Sequence, residues 1–323
     1  MFKKLVVVGM VFALIGVYAP NVLADEYPAR PIHIVVPYVP GGASDIFARL
    51  IAQKLTERTK IAVIVDNRPG AGGTIGAEFV AHSKPDGYTL LLSDDSVYSI
   101  APSLYANLTY KAADLIPVLY VATSPQLLIT ASSSHLTSFK ELLAQERAKP
   151  GKLNIASSGN GTGSHLSLVL LNYLAGTHIQ HIPYRGGGAA LNDVLSGHTD
   201  MMFIGTPPAM PFVANGQIRV LAVSSTKRFA GLPDVPTIAE SGVPGFEAVA
   251  GQGLFAPAGT PSNIVKWLNE SIAQINATPD MRKRWTGLGA EVIGMTPLQY
   301  KAWLDQESTK WRKMIDAAGI HPD

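Results

Sequence analysis

Short runs of Val, Ile and Leu alternate along this chain with longer stretches in which apolar residues recur every three or four positions. Short apolar runs bounded by turn residues read as buried strands, and the 3.6-residue period reads as amphipathic helix. The pattern predicts a strand at Ile32 to Pro37, a helix at Ser44 to Arg58, a strand at Ala62 to Asp66, a helix at Thr74 to Ser83 and a third strand at Thr89 to Ser93. A second series begins near Gln126 with a strand at Leu127 to Ala131. It continues through a helix at Ser138 to Lys149, a strand at Asn154 to Ser157 and a helix at His165 to Ala175. Further segments follow at Ile179 to Pro183, Ala189 to Leu195, Met201 to Ile204 and Val220 to Ser224. Such alternation is the mark of parallel strands joined by crossover helices, so two α/β series in tandem are expected.

After Pro244 the pattern changes to a short apolar stretch, Gly253 to Ala256, and then three helical segments around Ile264 to Asn276, Pro279 to Leu288 and Pro297 to Ala318. These helices have no strands of their own to cover, so they are expected to return to the first series. The chain would then cross between two lobes twice, near Val121 to Pro125 and near Ala248 to Gly253. Two crossings make a hinge, and a hinged cleft between α/β lobes suits a small ligand. The expected division is residues 25–123 with 250–323 as one lobe and 124–249 as the other.

The N-terminus reads as an export signal. Lys3 and Lys4 precede an apolar run from Leu5 to Ala19, and Val22-Leu23-Ala24 supplies small residues before a cut at Ala24/Asp25. The run is shorter than the roughly 20 residues of a membrane-spanning helix, although an uncleaved anchor is the competing reading. Removal of residues 1–24 leaves 24 basic against 24 acidic side chains. A neutral chain without Lys/Arg clusters argues against nucleic acid or an anionic membrane as partner, so any attraction for anions must be local. Cysteine is absent, which removes thiol nucleophiles and Cys-type metal sites.

The candidate chemistry lies in glycine-rich turns that follow strands and open helices. They are Pro37 to Asp45, Arg68 to Thr74, Ser157 to Ser164 and Tyr184 to Gly188. Glycine lets the backbone approach a ligand, and a helix start offers unpaired N–H groups at the positive end of its dipole. In open α/β sheets ligands bind beyond the carboxyl ends of the strands, where these turns fall. Each turn taken singly also reads as a plain turn with a helix cap; matching turns in both lobes favour a binding role for the set.

At this point the chain resembles a known family. Tyr27-Pro28, Pro31-Ile32, Pro40-Gly41-Gly42, Asp45, Ala48-Arg49, Asn67 through Gly73 and Pro85-Asp86-Gly87-Tyr88-Thr89 are similar to the receptors of tripartite tricarboxylate transporters, also called Bug proteins. The likeness continues in Ser158 to Thr162, His165-Leu166, Pro183 to Gly187, Leu232 to Thr237 with Glu240, and Ala256 to Pro261. The resemblance implies a type II periplasmic-binding-protein fold with two α/β lobes. It implies a monomeric periplasmic receptor that delivers di- or tricarboxylates, acidic amino acids or aromatic acids to a two-component membrane permease.

By the same resemblance, the first lobe would hold the ligand with Tyr38, Pro40, Gly41, Gly42, Ala43, Ser44 and Asp45, and with Gly72, Gly73 and Thr74, partly through ordered water. The second would use Ser158, Gly159, Asn160, Gly161, Thr162 and His165, with Tyr184, Arg185, Gly186 and Gly187. Ser93, Asp94 and Thr206 complete the candidate set. Arg185 reads equally as a salt-bridge partner of the ligand and as an exposed arginine. The chain departs from the family pattern at Gly251, where a tryptophan is usual, and at Ala101, where an asparagine is common. Gly251 is expected either to enlarge the cleft or to lie off it. Asp94 or Asp95 is expected either to recognise a ligand substituent or to cap a helix.

Enzymatic readings fare worse. Gly159 to Ser164 imitates a dinucleotide fingerprint, but its third glycine comes one position early and the next strand ends at Tyr184-Arg185 without the acidic residue that holds a ribose. Ser164 and His165 are helix neighbours about 100° apart and make no nucleophile–base pair. His178 and His181 would face opposite sides of a strand, so no metal and no cofactor are expected. A closed, liganded lobe pair can also face a membrane sensor kinase, and the sequence does not separate that partner from a permease.

Overall fold

The computed structural model describes residues 27–318; the export signal expected above lies outside them. Strand β1 (Ile32–Val36) is almost wholly β-branched and is buried on both faces, as a central strand of a parallel sheet must be. It lies parallel to β2 (Val63–Asn67) on one side and β3 (Thr89–Asp94) on the other. Helices α1 (Ala43–Thr59) and α2 (Thr74–Ala81) make the crossovers on opposite faces. Two one-turn helices, α3 (Ser96–Ser99) and α4 (Ala101–Leu104), then lead to β4 (Leu115–Ala131).

The second series is α5 (Phe139–Ala148), β5 (Asn154–Ser157), α6 (Gly163–Ala175), β6 (Gln180–Pro183), α7 (Gly187–Leu195), β7 (Met201–Gly205), α8 (Thr206–Ala214) and β8 (Ile218–Val223). The chain returns through β9 (Val249–Pro257) to α9 (Ser262–Asn276), α10 (Pro279–Gly287) and α11 (Pro297–Ala318). The strands run in the order β2-β1-β3-β9-β4-β7-β5-β6, with β8 also on β4.

The sheet is mixed, which corrects the expectation of parallel strands throughout: β9 is antiparallel to both β3 and β4. It also corrects the length of the crossing strands. β4 runs for 17 residues where the pattern gave a strand only from Leu127. Pro117 and Pro125 hid its first half, because proline cannot donate to a ladder. The chain accommodates Pro117 with an irregularity between Pro117 and Leu119 and has a second between Tyr120 and Ala122. The first half of β4 pairs with β9, and the second half with β7 and β8. Two strands thus pass side by side from one lobe to the other, at Thr123↔Gly251, Ser124↔Ala250 and Pro125↔Val249.

Each lobe has a core on both faces of its sheet. In the first, Phe47, Ile51 and Leu55 of α1 meet Leu268, Ile272 and Trp285 of α9 and α10 on one face, while Val80 of α2 and Tyr300 and Leu304 of α11 cover the other. In the second, α5 and α6 cover one face and α7 and α8 the other. The C-terminal helices pack mainly against the elements of the first series, with one exception. Trp311 and Ile315, in the last turns of α11, share a cluster with Leu166 of the second lobe.

Gly251 is not an opening in the cleft. A β-carbon there would fall on the Asp95 carboxylate, with the Tyr120 hydroxyl 2.5 Å away. Asp95 is buried and accepts from the Tyr300 hydroxyl, and its N–H donates to the Gly251 carbonyl at 3.2 Å. Burial pushes the Asp95 carboxyl well above the usual range. At Gly253 a β-carbon would meet the Tyr300 hydroxyl. Bare glycine backbone leaves room for the hydroxyl end of this ring against β9. Gly251→Ala and Gly253→Ala are each expected to lower stability by about 1–3 kcal/mol, the usual cost of overpacking, measured as a fall in the urea midpoint at unchanged slope.

Candidate functional site

The first turn is held by one carboxylate. Asp45, in the first turn of α1, accepts from the Gly41 N–H at 3.0 Å, from Arg49 at 2.9–3.0 Å and from the Asn67 amide at 3.0 Å. Burial alone would raise its pKa, but the hydrogen bonds from Arg49, Gly41 and Asn67 outweigh that and hold it below the usual range. Asn67 also donates to the Tyr38 carbonyl at 3.0 Å, so both ends of the Tyr38 to Asp45 turn are tied to β2. Ser44 is buried and donates to Gln252 on the crossing strand at 2.6 Å.

The same economy recurs at the other turns. The Thr74 hydroxyl donates to the Ala71 carbonyl at 2.9 Å, and Asp94 accepts from the N–H and hydroxyl of Ser96, which starts α3. Thr162 donates to the Gly159 carbonyl at 2.7 Å, and Ser164 accepts from the Ser158 N–H at 3.0 Å. The Tyr184 phenol donates to Asp193 at 2.6 Å. Fully buried Thr206 donates to the Gly289 carbonyl of the first lobe at 2.9 Å. Arg185 is exposed and makes no ion pair among the described residues. Asp94 is thus occupied by Ser96 at the start of α3, whereas Asp95, at the N-cap position, makes no side-chain cap: its carboxylate faces Tyr300 instead.

Two histidines support the Ser158 to Thr162 turn from behind. His165 accepts the Gly161 N–H at 3.1 Å, its ring stacks on His181 at 4.0 Å, and His181 in turn meets the Ser157 hydroxyl at 2.6 Å. Burial lowers the His181 pKa to about 4, so this imidazole is neutral at physiological pH.

The turns of the two lobes meet. Gly72 (φ 63°) lies so close to the Asn160 carbonyl that a β-carbon would overlap it, and at Gly186 (φ 135°) a β-carbon would strike Val39. Positive φ and close approach together demand glycine at both positions. Tyr105, which the sequence gave no reason to select, donates across the gap to the Asn160 carbonyl at 2.9 Å, and Leu104 lies against Gly161. Four of the candidate segments, at 38–45, 72–74, 158–162 and 184–187, therefore converge on one seam between the lobes.

What remains free at this seam is backbone. Helices α1, α6 and α7 start without a side-chain cap. Among the described residues no partner is found for the N–H groups of Ala43, Ser44 and Asp45 in α1, Gly163 and Ser164 in α6, or Gly187, Gly188 and Ala189 in α7. Helices α5 and α10 are capped by Ser138 and Thr278, whereas α2, α8 and α9 also start without a side-chain cap. Unpartnered first-turn donors at the positive end of a helix attract anions. Near the crossing strands, the buried hydroxyls of Ser93, Thr123 and Ser124 also lack partners among the described residues. Two surface depressions, of about 450 and 420 Å³, lie elsewhere; the larger is lined by Arg68, Ile75 and Phe79. No group of three or more His, Asp or Glu side chains is placed to hold a metal among the described residues.

Two α/β lobes, two strand crossings and helix starts converging on the seam define a type II periplasmic-binding-protein fold. The comparisons with known proteins narrow this. The family model "Tripartite tricarboxylate transporter family receptor" matches residues 47–320, and the chain belongs to that family. It is 36% identical over 321 residues to Protein BugT of Bordetella pertussis, covering 99% of this chain and 98% of the relative. Among solved structures it is similar to Rpa4515 of R. palustris with adipate (34% identity, TM-score 0.89, covering 92% of this chain and all of that one). It is also similar to MatC of Rhodopseudomonas palustris with bound malate (32% identity, TM-score 0.84, covering 90% and 100%).

Two predictions follow from the scaffolding. Asp45→Ala strands the Gly41 N–H, Arg49 and Asn67; it should cost about 2 kcal/mol, the scale of charge-assisted hydrogen bonds, and should speed amide exchange at residues 38–44. For His181, the folded pKa lies below the unfolded value of about 6.5, so the unfolded chain takes up the proton first as pH falls. Wild type should therefore lose stability relative to His181→Gln between about pH 6.5 and 4, read from denaturant midpoints of the two proteins at each pH.

Proposed function

We propose that this protein is an exported receptor that closes its two lobes on a small organic carboxylate, performs no chemistry on it and delivers it in the periplasm to a two-component membrane permease. The observation that carries the reading is the set of unpartnered N–H groups which α1 of one lobe and α6 and α7 of the other bring to the same seam. A carboxylate at α1 would accept from Ala43, Ser44 and Asp45, and a second acidic group would meet the starts of α6 and α7. The lobes are residues 25–123 with 250–323 and residues 124–249, and they rotate about the paired crossing at Thr123 to Pro125 and Val249 to Gly251.

In this reading the turns at 38–45, 72–74, 158–162 and 184–187 are the contact surface, chiefly through backbone, with Ser93 nearby. Asp45, Asp94, His165, Tyr184 and Thr206 act by shaping it. Three or four charge-assisted hydrogen bonds of about 1.5–3 kcal/mol each reach the roughly 8 kcal/mol of a micromolar complex, so no arginine clamp is required. Relatives solved with adipate and with malate, at 34% and 32% identity, favour a dicarboxylate.

The test is a thermal-shift screen of ligand-stripped protein against mono-, di- and tricarboxylates, acidic amino acids, aromatic acids and uncharged controls. A ligand bound only by the folded state raises the melting temperature, by an amount equivalent to about 2.7 kcal/mol at a hundredfold excess over Kd. The expected result is a shift confined to one carboxylate class, with the hit recovered unchanged. No shift with any anion, or consumption of the hit, would reject the reading.

A further inference from the structure

We propose that α11 is a strap between the lobes, anchored on the hinge at its first turns and on the second lobe at its last, and that it biases the cleft toward closure before any ligand binds. Tyr300, Leu304, Trp311 and Ile315 follow one another at spacings of four, seven and four, which places them on one face of the helix. That single stripe serves two different cores. Tyr300 and Leu304 belong to the first lobe, packed with Tyr98 and Phe255. Trp311 and Ile315 belong to a separate cluster with Ile100 and Leu104 of the first lobe and Leu166 of α6 in the second.

The geometry at each end makes this more than a passing contact. At the start, the Tyr300 hydroxyl donates to Asp95 and lies against Gly253 of the crossing strand β9. At the far end, Leu166 is wholly buried, Met314 also packs against the core of the second lobe, and the Trp311 indole N–H donates to Glu307 at 3.0 Å, which fixes its ring. A 22-residue helix spans about 33 Å, enough to run from the hinge to the second lobe.

The cluster sits directly behind the proposed ligand turn. Leu104 touches Gly161, and the neighbouring Tyr105 donates to the Asn160 carbonyl. Opening the seam therefore has to break that hydrogen bond and either uncover Leu166 or peel the end of α11 from the second lobe. Both expose apolar surface to water, which disfavours opening. A receptor whose competent state is already populated binds with an apparent Kd less penalised by closure. This last consequence rests on the ligand reading above, whereas the bias itself does not.

The chain has no cysteine, so spin labels can be placed uniquely through Lys84→Cys on the first lobe and Lys149→Cys on the second, both exposed positions. Electron–electron distance distributions are then recorded without ligand in the wild-type, Leu166→Ala and Ile315→Ala backgrounds, with Leu298→Ala, on the exposed side of α11, as control. Loss of about 1.4 kcal/mol of interlobe packing shifts the open-to-closed ratio about tenfold. Both core variants should therefore move toward the longer distance while the control stays with wild type. Ile315→Ala guards against a simple loosening of the second lobe by Leu166→Ala, because Ile315 lies outside that lobe's sheet core. Distributions unchanged or shortened in both variants, with cooperative unfolding intact, would overturn the strap. The measurement contains no carboxylate, so a failure of the ligand assignment would leave its outcome standing.

Discussion

The antiparallel ladder between β4 and β9 is the constraint on which the rest of the molecule depends. It runs, with two irregularities, from Leu115↔Pro257 in the first lobe to Pro125↔Val249 at the edge of the second, so the two lobes are joined by paired strands and not by a loose linker. A paired crossing permits rotation about itself and resists most other displacements. If the lobes move as proposed, the turns that face one another across the cleft would be brought to the same register each time they approach. Gly251 and Gly253 follow from this constraint. The crossing strand must admit the Asp95 carboxylate and the Tyr300 ring on the face away from α1, and only a strand without β-carbons there leaves room.

The cleft divides its labour between side chain and backbone. Polar side chains that look like ligand contacts in the sequence are occupied by neighbours in the same lobe: Asp45 with Gly41, Arg49 and Asn67, Thr162 with Gly159, and Tyr184 with Asp193. A turn whose side chains satisfy its own shape is rigid, and a rigid turn can leave its helix N–H groups open without collapsing onto them. This preorganisation lowers the ordering cost on binding. It also explains why Thr162, a residue type that ordinarily caps its helix, turns its hydroxyl back to Gly159 and leaves α6 uncapped.

Much of this architecture is legible in the sequence, for physical reasons. Helix starts and buried strands leave local marks: the β-branched run at Ile32 to Val36, the Gly-rich turns, and the apolar period of α9 each depend on neighbours in sequence. Structure that depends on distant partners did not show. The first half of β4 is a strand because β9 pairs with it, and Pro117 and Pro125 conceal it from a local reading. Tyr105 carries no motif, and its role exists only because the Asn160 turn of the other lobe comes within 2.9 Å. Asp95 reads as a helix cap by position; Tyr300, 205 residues away, takes it instead.

Electrostatics completes the reasoning from composition to site. With basic and acidic side chains nearly balanced, the anion-binding role proposed above could not rely on a long-range positive field, and Asp45 and Asp94 lie beside the proposed contact turns. Arg49 neutralises the first of these at close range, and burial favours the protonated form of the second by raising its pKa. In the proposed reading, an approaching carboxylate would meet a set of fixed dipoles at helix starts, whose effect falls away within about one turn. Attraction confined to contact distance favours shape over charge count. On that proposal a ligand would have to fit the gap between α1 and the α6–α7 pair to be held at all, and the same short range would let it go once the lobes part.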